Sequence, residues 1–355
     1  MKRAFLPLLI AGCSAPQVYE RPLDRAIADG VAFLVASQKP DGAWGSGRDT
    51  TDFDVMAMVP GSHDAFRVGA TALCVMALRE AGEKEASSRG LRYLVDYDGV
   101  RRASPMEIYN VWAHTYALQA LACAYREDGV EEYRAAAERH LRHLQRYETN
   151  VGGWNYYDFE IGARTPSMEP TSFGTAAALV ALHEARKAGI AVPESLTRRA
   201  LARLKESRKP DGSFLYSTDF RYVPHHLANH DKGSLGRTQS GHCALWLWDS
   251  PGIGEQEVRA GLDAFFRHHK FIEIGRKRQY PHEAWYFTAP YYFYFGHYYA
   301  ALLIERLGEK GYREGMKPCI LPFQEADGSW WDYKMWDYHK PYGTAFAVMI
   351  LLRCR

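Results

Sequence analysis

The chain has 355 residues, 47% hydrophobic and 24% charged, the make-up of a folded globular protein. No run of Pro, Gly and Ser is long enough to separate two domains, so one large domain is expected. A formal net charge of +2, with Lys and Arg interspersed among Asp and Glu and no basic stripe, removes the electrostatic case for a nucleic-acid partner.

The N-terminus reads as an export signal. In MKRAFLPLLIAGCSAP, Lys2 and Arg3 precede an apolar run from Ala4 to Ile10 and then small residues, a stretch too short to cross a bilayer. Ile10-Ala11-Gly12-Cys13 resembles a bacterial lipobox, which implies cleavage before Cys13 and lipid attachment to its sulfur and new N-terminus. Residues 1–12 are then a lipoprotein signal peptide, residues 13–23 the lipidated Cys13 and a short tether, and residues 24–355 one domain. Ser14, rather than Asp, follows the cysteine, resembling the pattern that sorts exported bacterial envelope lipoproteins to the outer membrane or its periplasmic face. The remaining Cys74, Cys123, Cys243, Cys319 and Cys354 are odd in number, irregularly spaced and without a CxxC pair, so no disulfide framework is expected.

From residue 24 the periodicity is helical almost throughout. FRVGATALCVMALREAG, YNVWAHTYALQALACAYRE, SFGTAAALVALHEARKAG, TQSGHCALWLW, YFGHYYAALLIERLG and PYGTAFAVMILLR are apolar, Ala- and Gly-rich segments of helix length, suited to packing on several sides. They align on a small residue followed by Thr or His: Ala70-Thr71, Ala113-His114, Gly174-Thr175, Gly241-His242, Gly296-His297 and Gly343-Thr344. The mean spacing, about 55 residues, holds two helices with loops. Before most of them lies a more amphipathic segment, such as EEYRAAAERHLRHLQRY or SLTRRALARLKES, of the kind that leans on an inner helix. An open solenoid would end in polar caps, yet the last inner segment is as apolar as the others, so closure is expected. The fold expected is all-α: a toroid of about six hairpins, with an inner ring of six helices inside an outer ring.

The turns repeat too. In Gln38-Lys39-Pro40-Asp41-Gly42-Ala43-Trp44 the Pro and Gly end a helix and the Trp can fold back as an apolar plug. Gln324, Gly328 and Trp330 repeat it, and Gly153-Trp154 and Gly212-Ser213-Phe214 are partial copies. This pattern resembles the Gln-Trp repeat of squalene-hopene cyclases and the related repeats of protein prenyltransferase β-subunits, and the resemblance implies their α/α toroid. Their catalytic motifs are absent. The cyclases' Asp-x-Asp-Asp acid has no counterpart, since the chain contains no Asp-Asp pair and its nearest stretch holds only Asp52 and Asp54. The prenyltransferases' zinc-binding Asp-x-Cys is missing where Ser240-Gly241-His242-Cys243 stands. Pro251-Gly252-Ile253-Gly254-Glu255-Gln256 resembles a thioester motif with Ile253 in place of the reactive cysteine. His114, His242 and His297 share one aligned position, but the second and fifth inner helices lie on opposite sides of such a ring, so each is expected to bond locally. No metal and no cofactor is expected.

If the inner helices run parallel, their N-termini open at one mouth, where helix dipoles favour an anion. The candidate ligand-binding residues there are Arg67, Trp112, Lys232, Arg237, Gln239 and Tyr292, with Trp154 on a neighbouring turn; His339, Tyr342 and Tyr294 are the candidate catalytic groups. The resemblance implies an apolar, isoprenoid-phosphate ligand in the central cavity, with arginines on the diphosphate. The alternative is an envelope glycan lyase or hydrolase, with sugars stacked on the aromatics, a uronate neutralised by the arginines and Tyr or His as base. A noncatalytic scaffold is the third reading. Beyond that small-molecule or glycan ligand, the only partner expected is the membrane, through the lipid anchor.

Overall fold

A computed structural model describes residues 22–48, 60–97, 99–100, 108–157, 165–166, 169–223 and 225–355. The signal peptide, Cys13, nearly all of the tether, Asp52 and Asp54 lie outside the described residues. In chain order the helices are α1 (Leu23–Ser37), α2 (Pro60–Glu80), α3 (Lys84–Asp96), α4 (Asn110–Asp128), α5 (Glu131–Arg146), α6 (Ser172–Lys187) and α7 (Glu194–Glu206). There follow α8 (Leu235–Leu247), α9 (Glu255–Arg267), the single-turn α10 (Lys270–Glu273), α11 (Tyr292–Leu307), α12 (Lys310–Ile320) and α13 (His339–Leu352).

The fold is the expected all-α toroid. Helices α2, α4, α6, α8, α11 and α13 pack each against the next, and α13 returns to α2, so the inner ring closes. Their residues are apolar all round and almost wholly buried, as a helix walled on every side requires. The outer helices carry charge on one face and bury Ala and Leu on the other, as Ala136, Ala137, Leu141 and Leu144 do on α5. The pairing differs from the order expected. Each inner helix packs chiefly on the outer helix that follows it, α2 on α3 and α4 on α5, and the first outer helix, α1, packs on the last inner helix, α13. The two ends of the chain therefore complete one hairpin.

The repeated turns lock these layers. Trp44, Trp154 and Trp330 are fully buried, and each indole N–H donates to a carbonyl at the end of the preceding outer helix: Leu34 O at 2.7 Å, Leu144 O at 2.8 Å and Ile320 O at 3.0 Å. Each Trp backbone N–H donates to a threonine on the next inner helix, Thr71, Thr175 and Thr344 respectively. That is why Thr recurs at the aligned position. Gln38 Nε2 donates to Gly42 O in its own turn and to Ala86 O on α3; Gln324 Nε2 donates to Gly328 O and to Ala26 O on α1. The glutamines thus tie successive outer helices. Gly328 has φ +86°, and a Cβ there would lie 2.5 Å from Asp29 O, so only glycine fits this turn.

Where the plug is Phe214, the aligned residue is His242, whose Nε2 donates to Gly212 O at 3.1 Å. His114 meets His140 (Nδ1–Nδ1 2.9 Å) and His297 meets His269 (Nε2–Nε2 2.9 Å). The aligned histidines do bond locally. Burial holds His140 down at about 3 and His242 at about 4, so both are neutral at neutral pH. None of Cys74, Cys123, Cys243, Cys319 and Cys354 forms a disulfide.

Two inner helices approach closely between Gly236 on α8 and Gly296 on α11, where a Cβ on Gly296 would stand 2.7 Å from Gly236 Cα. Gly296→Ala must push two backbones apart and is expected to destabilise by ~1–3 kcal/mol. Urea unfolding checks it, with Gly311→Ala, which meets nothing within 4 Å, as the near-neutral control.

Candidate active site at the N-terminal mouth

All six inner helices run the same way, their C-termini around one hollow, and at the other end five of them, α2, α4, α6, α11 and α13, line a cavity of about 140 Å³. Helix α2 contributes Phe66, Gly69 and Ala70; α4 contributes Trp112 and Tyr116; α6, Phe173; α11, Tyr292 and Phe295; α13, Tyr342 and Phe346. Tyr109, Tyr156, Tyr291, Tyr333 and Tyr338 come from the loops that lead into the helices. Trp112 lies nearly parallel to Phe173 (5.9 Å, 17°) and to Tyr116 (6.2 Å, 17°), forming a continuous aromatic plate. At the opposite end a hollow of about 670 Å³ is ringed by charges already paired, such as Arg79 with Glu127 (2.6 Å) and Arg353 with Glu305 (3.1 Å). Cations there complement the helix C-termini. The aromatic cavity is therefore the one at the N-terminal mouth.

Behind the Tyr292 wall lies Arg237, on the first turn of α8 and 1% exposed. Its Cζ stands 5.5 Å from the Tyr216 ring centre and 5.7 Å from that of Tyr292. Nη2 donates to Ala228 O, while Nε and Nη1 find no acceptor. Among the described residues no carboxylate pairs with it. Tyr216 shares a hydroxyl–hydroxyl hydrogen bond with Tyr156 and packs edge-on to His282.

His282 sits in the rim segment before α11, where Lys277, His282, Tyr286 and Phe287 all have positive φ. Non-glycine residues held this way cost of order 1–3 kcal/mol each, a strain that gathers at functional sites. The carbonyl of Phe287 can only accept, so His282 Nδ1 carries the proton in their 2.7 Å contact. Nε2 is left with its lone pair, 3.4 Å from the Tyr291 hydroxyl. Burial lowers the His282 pKa, keeping the ring neutral, and raises those of Tyr156, Tyr216, Tyr291 and Tyr292, keeping these phenols protonated. A neutral base thus faces a phenol that lines the cavity.

Asp332, fully buried, accepts from the Tyr342 hydroxyl (2.6 Å) and from Tyr294 N–H (3.1 Å). Burial pushes it up to about 6, against the pull of both hydrogen bonds. The folded chain holds this proton more tightly than the unfolded one, so the group's stabilising contribution is full below about pH 4 and is lost as pH rises through about 6. Asp332→Asn is expected to flatten that dependence and to gain ~1–3 kcal/mol on the wild type between pH 4 and pH 7. Urea midpoints across this range test it; parallel curves for the two proteins would contradict it.

Of the residues singled out from the sequence, Trp112, Tyr292 and Tyr342 line the cavity, and Arg237 stands directly behind it. The others are placed elsewhere. Arg67 turns outward to a two-pronged pair with Asp41 (3.0 and 2.7 Å) beside Tyr93. Gln239 donates to Gly261 O on α9, and Lys232 lies over Phe271 and Tyr286 on the rim. Trp154 is a plug between layers rather than a sugar platform. Tyr294 does not line the cavity: its backbone N–H meets Asp332 and its ring packs edge-on to Phe293, and His339 is turned to Trp336 O (2.8 Å) and Trp331, with burial lowering its pKa to about 4. Tyr216, His282, Phe173 and Tyr338 were not legible as site residues.

No family model and no curated protein matches the chain. Solved structures do. A family 76 glycoside hydrolase from a bovine Bacteroides thetaiotaomicron strain superposes with TM-score 0.57 at 12% identity, over 95% of this chain and 78% of that one. A possible member of the GH105 family from Klebsiella pneumoniae gives 0.57 at 14%, over 99% and 98%. Cellobiose 2-epimerase from Bacillus thermoamylovorans gives 0.57 at 12%, over 93% and 98%. At this identity the likeness is one of fold. Fold and site together define an α/α toroid with an aromatic cavity at the N-terminal end of its inner helices. The Gln-Trp resemblance thus led to the correct architecture, while these three similar structures are named for carbohydrate rather than terpenoid chemistry.

Proposed function

We propose that the protein binds an anionic carbohydrate at the N-terminal mouth and cleaves it, as a glycan lyase or hydrolase. The observation that carries this is Arg237: a buried guanidinium that, among the described residues, has no carboxylate partner and two nitrogens without acceptors, one tyrosine ring behind an aromatic cavity. Such a charge is costly unless a ligand completes it. With the Tyr292 ring turned aside, a sugar carboxylate does so through paired charge-assisted hydrogen bonds, while the Trp112–Phe173 plate takes the sugar ring. The sugar chemistry named for the similar toroids supports the same reading.

For elimination, the proton on the carbon next to the carboxylate passes through the Tyr291 hydroxyl to His282 Nε2. The carbon–oxygen bond one position further breaks, a carbon–carbon double bond forms, and the leaving oxygen takes up a proton. Arg237 holds the negative charge that develops on the carboxylate. The lipid-anchored location expected from residues 1–13 would set this site at the cell envelope.

Incubation with uronate oligosaccharides tests the reading, with the ultraviolet absorbance of the new double bond reporting elimination and new reducing ends reporting hydrolysis. Cleavage lost in Tyr291→Phe and His282→Ala is the expected result. A second reading, an apolar isoprenoid ligand, is favoured by a cavity wall made of ring faces with Leu73 and Met335. Co-purification of a polyisoprenoid from envelope extract, with neither binding nor cleavage of acidic glycans, would replace the first reading by the second.

A further inference from the structure

We propose that His269, His297 and Cys319 form a binding site for one thiophilic d10 ion, Zn2+ or Cu+, buried between α11 and the outer layer. The three residues come from separate elements: His269 from the junction of α9 and α10, His297 from α11 and Cys319 from α12. One nitrogen of each imidazole and the thiol sulfur lie within 4.8 Å of one another, and all three residues are buried to within 1%. Two imidazole nitrogens and a thiolate are a donor set that selects zinc or copper(I) over hard cations.

The hydrogen bonds around the cluster orient it for such an ion. His297 Nδ1 donates to Phe293 O at 2.7 Å, so its Nε2 presents a lone pair, and that lone pair faces His269 Nε2 at 2.9 Å. On the other side of His269, Nδ1 stands 3.4 Å from Glu273 Oε2. Without an ion, the hydrogen between the two Nε2 atoms comes from His269. An ion between the two Nε2 atoms reverses this. Both lone pairs then bind metal, and His269 Nδ1–H donates to Glu273, the carboxylate–histidine–metal arrangement common around bound zinc. Nitrogens at about 2.0–2.1 Å from a tetrahedral ion lie about 3.4 Å apart, so the rings need open by only about half an ångström. The His114–His140 contact is made Nδ1 to Nδ1 and, among the described residues, gathers no such third donor. An ion here would fasten α11 and α12 to the segment leading into the strained rim that carries His282.

The purified full chain, kept reduced, is analysed for metals by mass spectrometry, then unfolded and refolded with Co2+ as a spectroscopic probe. About one zinc or copper per chain, a thiolate-to-cobalt absorption band on refolding, and a thermal midpoint that rises with added Zn2+ are expected. Cys319→Ser, nearly isosteric, should lose the band and weaken binding at least ~10-fold, while Cys354→Ser, buried outside the cluster, keeps both. A wild-type chain that holds no zinc or copper as isolated and shows no cobalt band on refolding would overturn the proposal. So would Cys319→Ser binding metal as tightly as the wild type, and in either case the histidines share a proton instead.

Discussion

Replacing Arg237 with Gln is expected to weaken binding of a uronate oligosaccharide ~30-fold or more while the fold keeps or gains stability. Removing one member of a buried charged pair typically costs 2–5 kcal/mol of binding, which sets the scale. The stability half of the expectation comes from the unbound protein. There the guanidinium is 1% exposed, and its compensation is one carbonyl and the faces of Tyr216 and Tyr292. Cation–π contacts return about 1–2 kcal/mol each, less than the desolvation of an unpaired charge. A ligand-binding arginine and a structural one therefore differ in sign. Calorimetric titration and urea unfolding of the same variant separate them, and a variant that unfolds while binding survives in its folded fraction would mark Arg237 as a structural residue.

Trp330→Ala is expected to be the most damaging single change, about 3–5 kcal/mol. The indole fills the junction of α1, α12 and α13, where a Cβ on Gly30 would lie 2.7 Å from its Cζ3. Its N–H caps Ile320 O, and its backbone N–H donates to Thr344 Oγ1 at 2.9 Å. Removing it empties a fully buried site, leaves the Ile320 carbonyl without this donor, and loosens the hairpin that joins the first helix to the last. Trp331→Ala, one residue on, is partly exposed and lies against Lys277 and His339, so less than ~1 kcal/mol is expected. Equal losses for the two tryptophans, measured by urea unfolding, would contradict the role given to ring closure.

The architecture was legible because it is periodic. The six apolar segments, the Thr or His at one aligned position and the Gln–Trp turns each recur, and wherever the aligned residue is Thr it accepts from the backbone N–H of the tryptophan plug. Which helix pairs with which was not legible, since amphipathicity shows that a helix has a buried face but not its neighbour. The site residues failed for a related reason. Successive helical residues point about 100° apart, so Phe66 faces the cavity while Arg67 lies against Tyr93 of α3, and Arg237 packs on Tyr292 behind the cavity while Gln239 faces α9. Tyr216 and His282 lie in loops, which have no period. One signal was nonetheless present: the residue two positions after each plug, Ser46, Tyr156, Tyr216 and Asp332, joins the network around the mouth.

Recognition of a sugar carboxylate through Arg237 can be measured by a calorimetric double cycle. One uronate oligosaccharide and its carboxyl-reduced form are titrated into the wild type and into Arg237→Gln. Carboxyl reduction is expected to cost the wild type as much affinity as the mutation does, and the variant little more. Equal affinity of the acidic and reduced sugars for the wild type, or a full further loss in the variant, would mean that Arg237 does not hold the carboxylate.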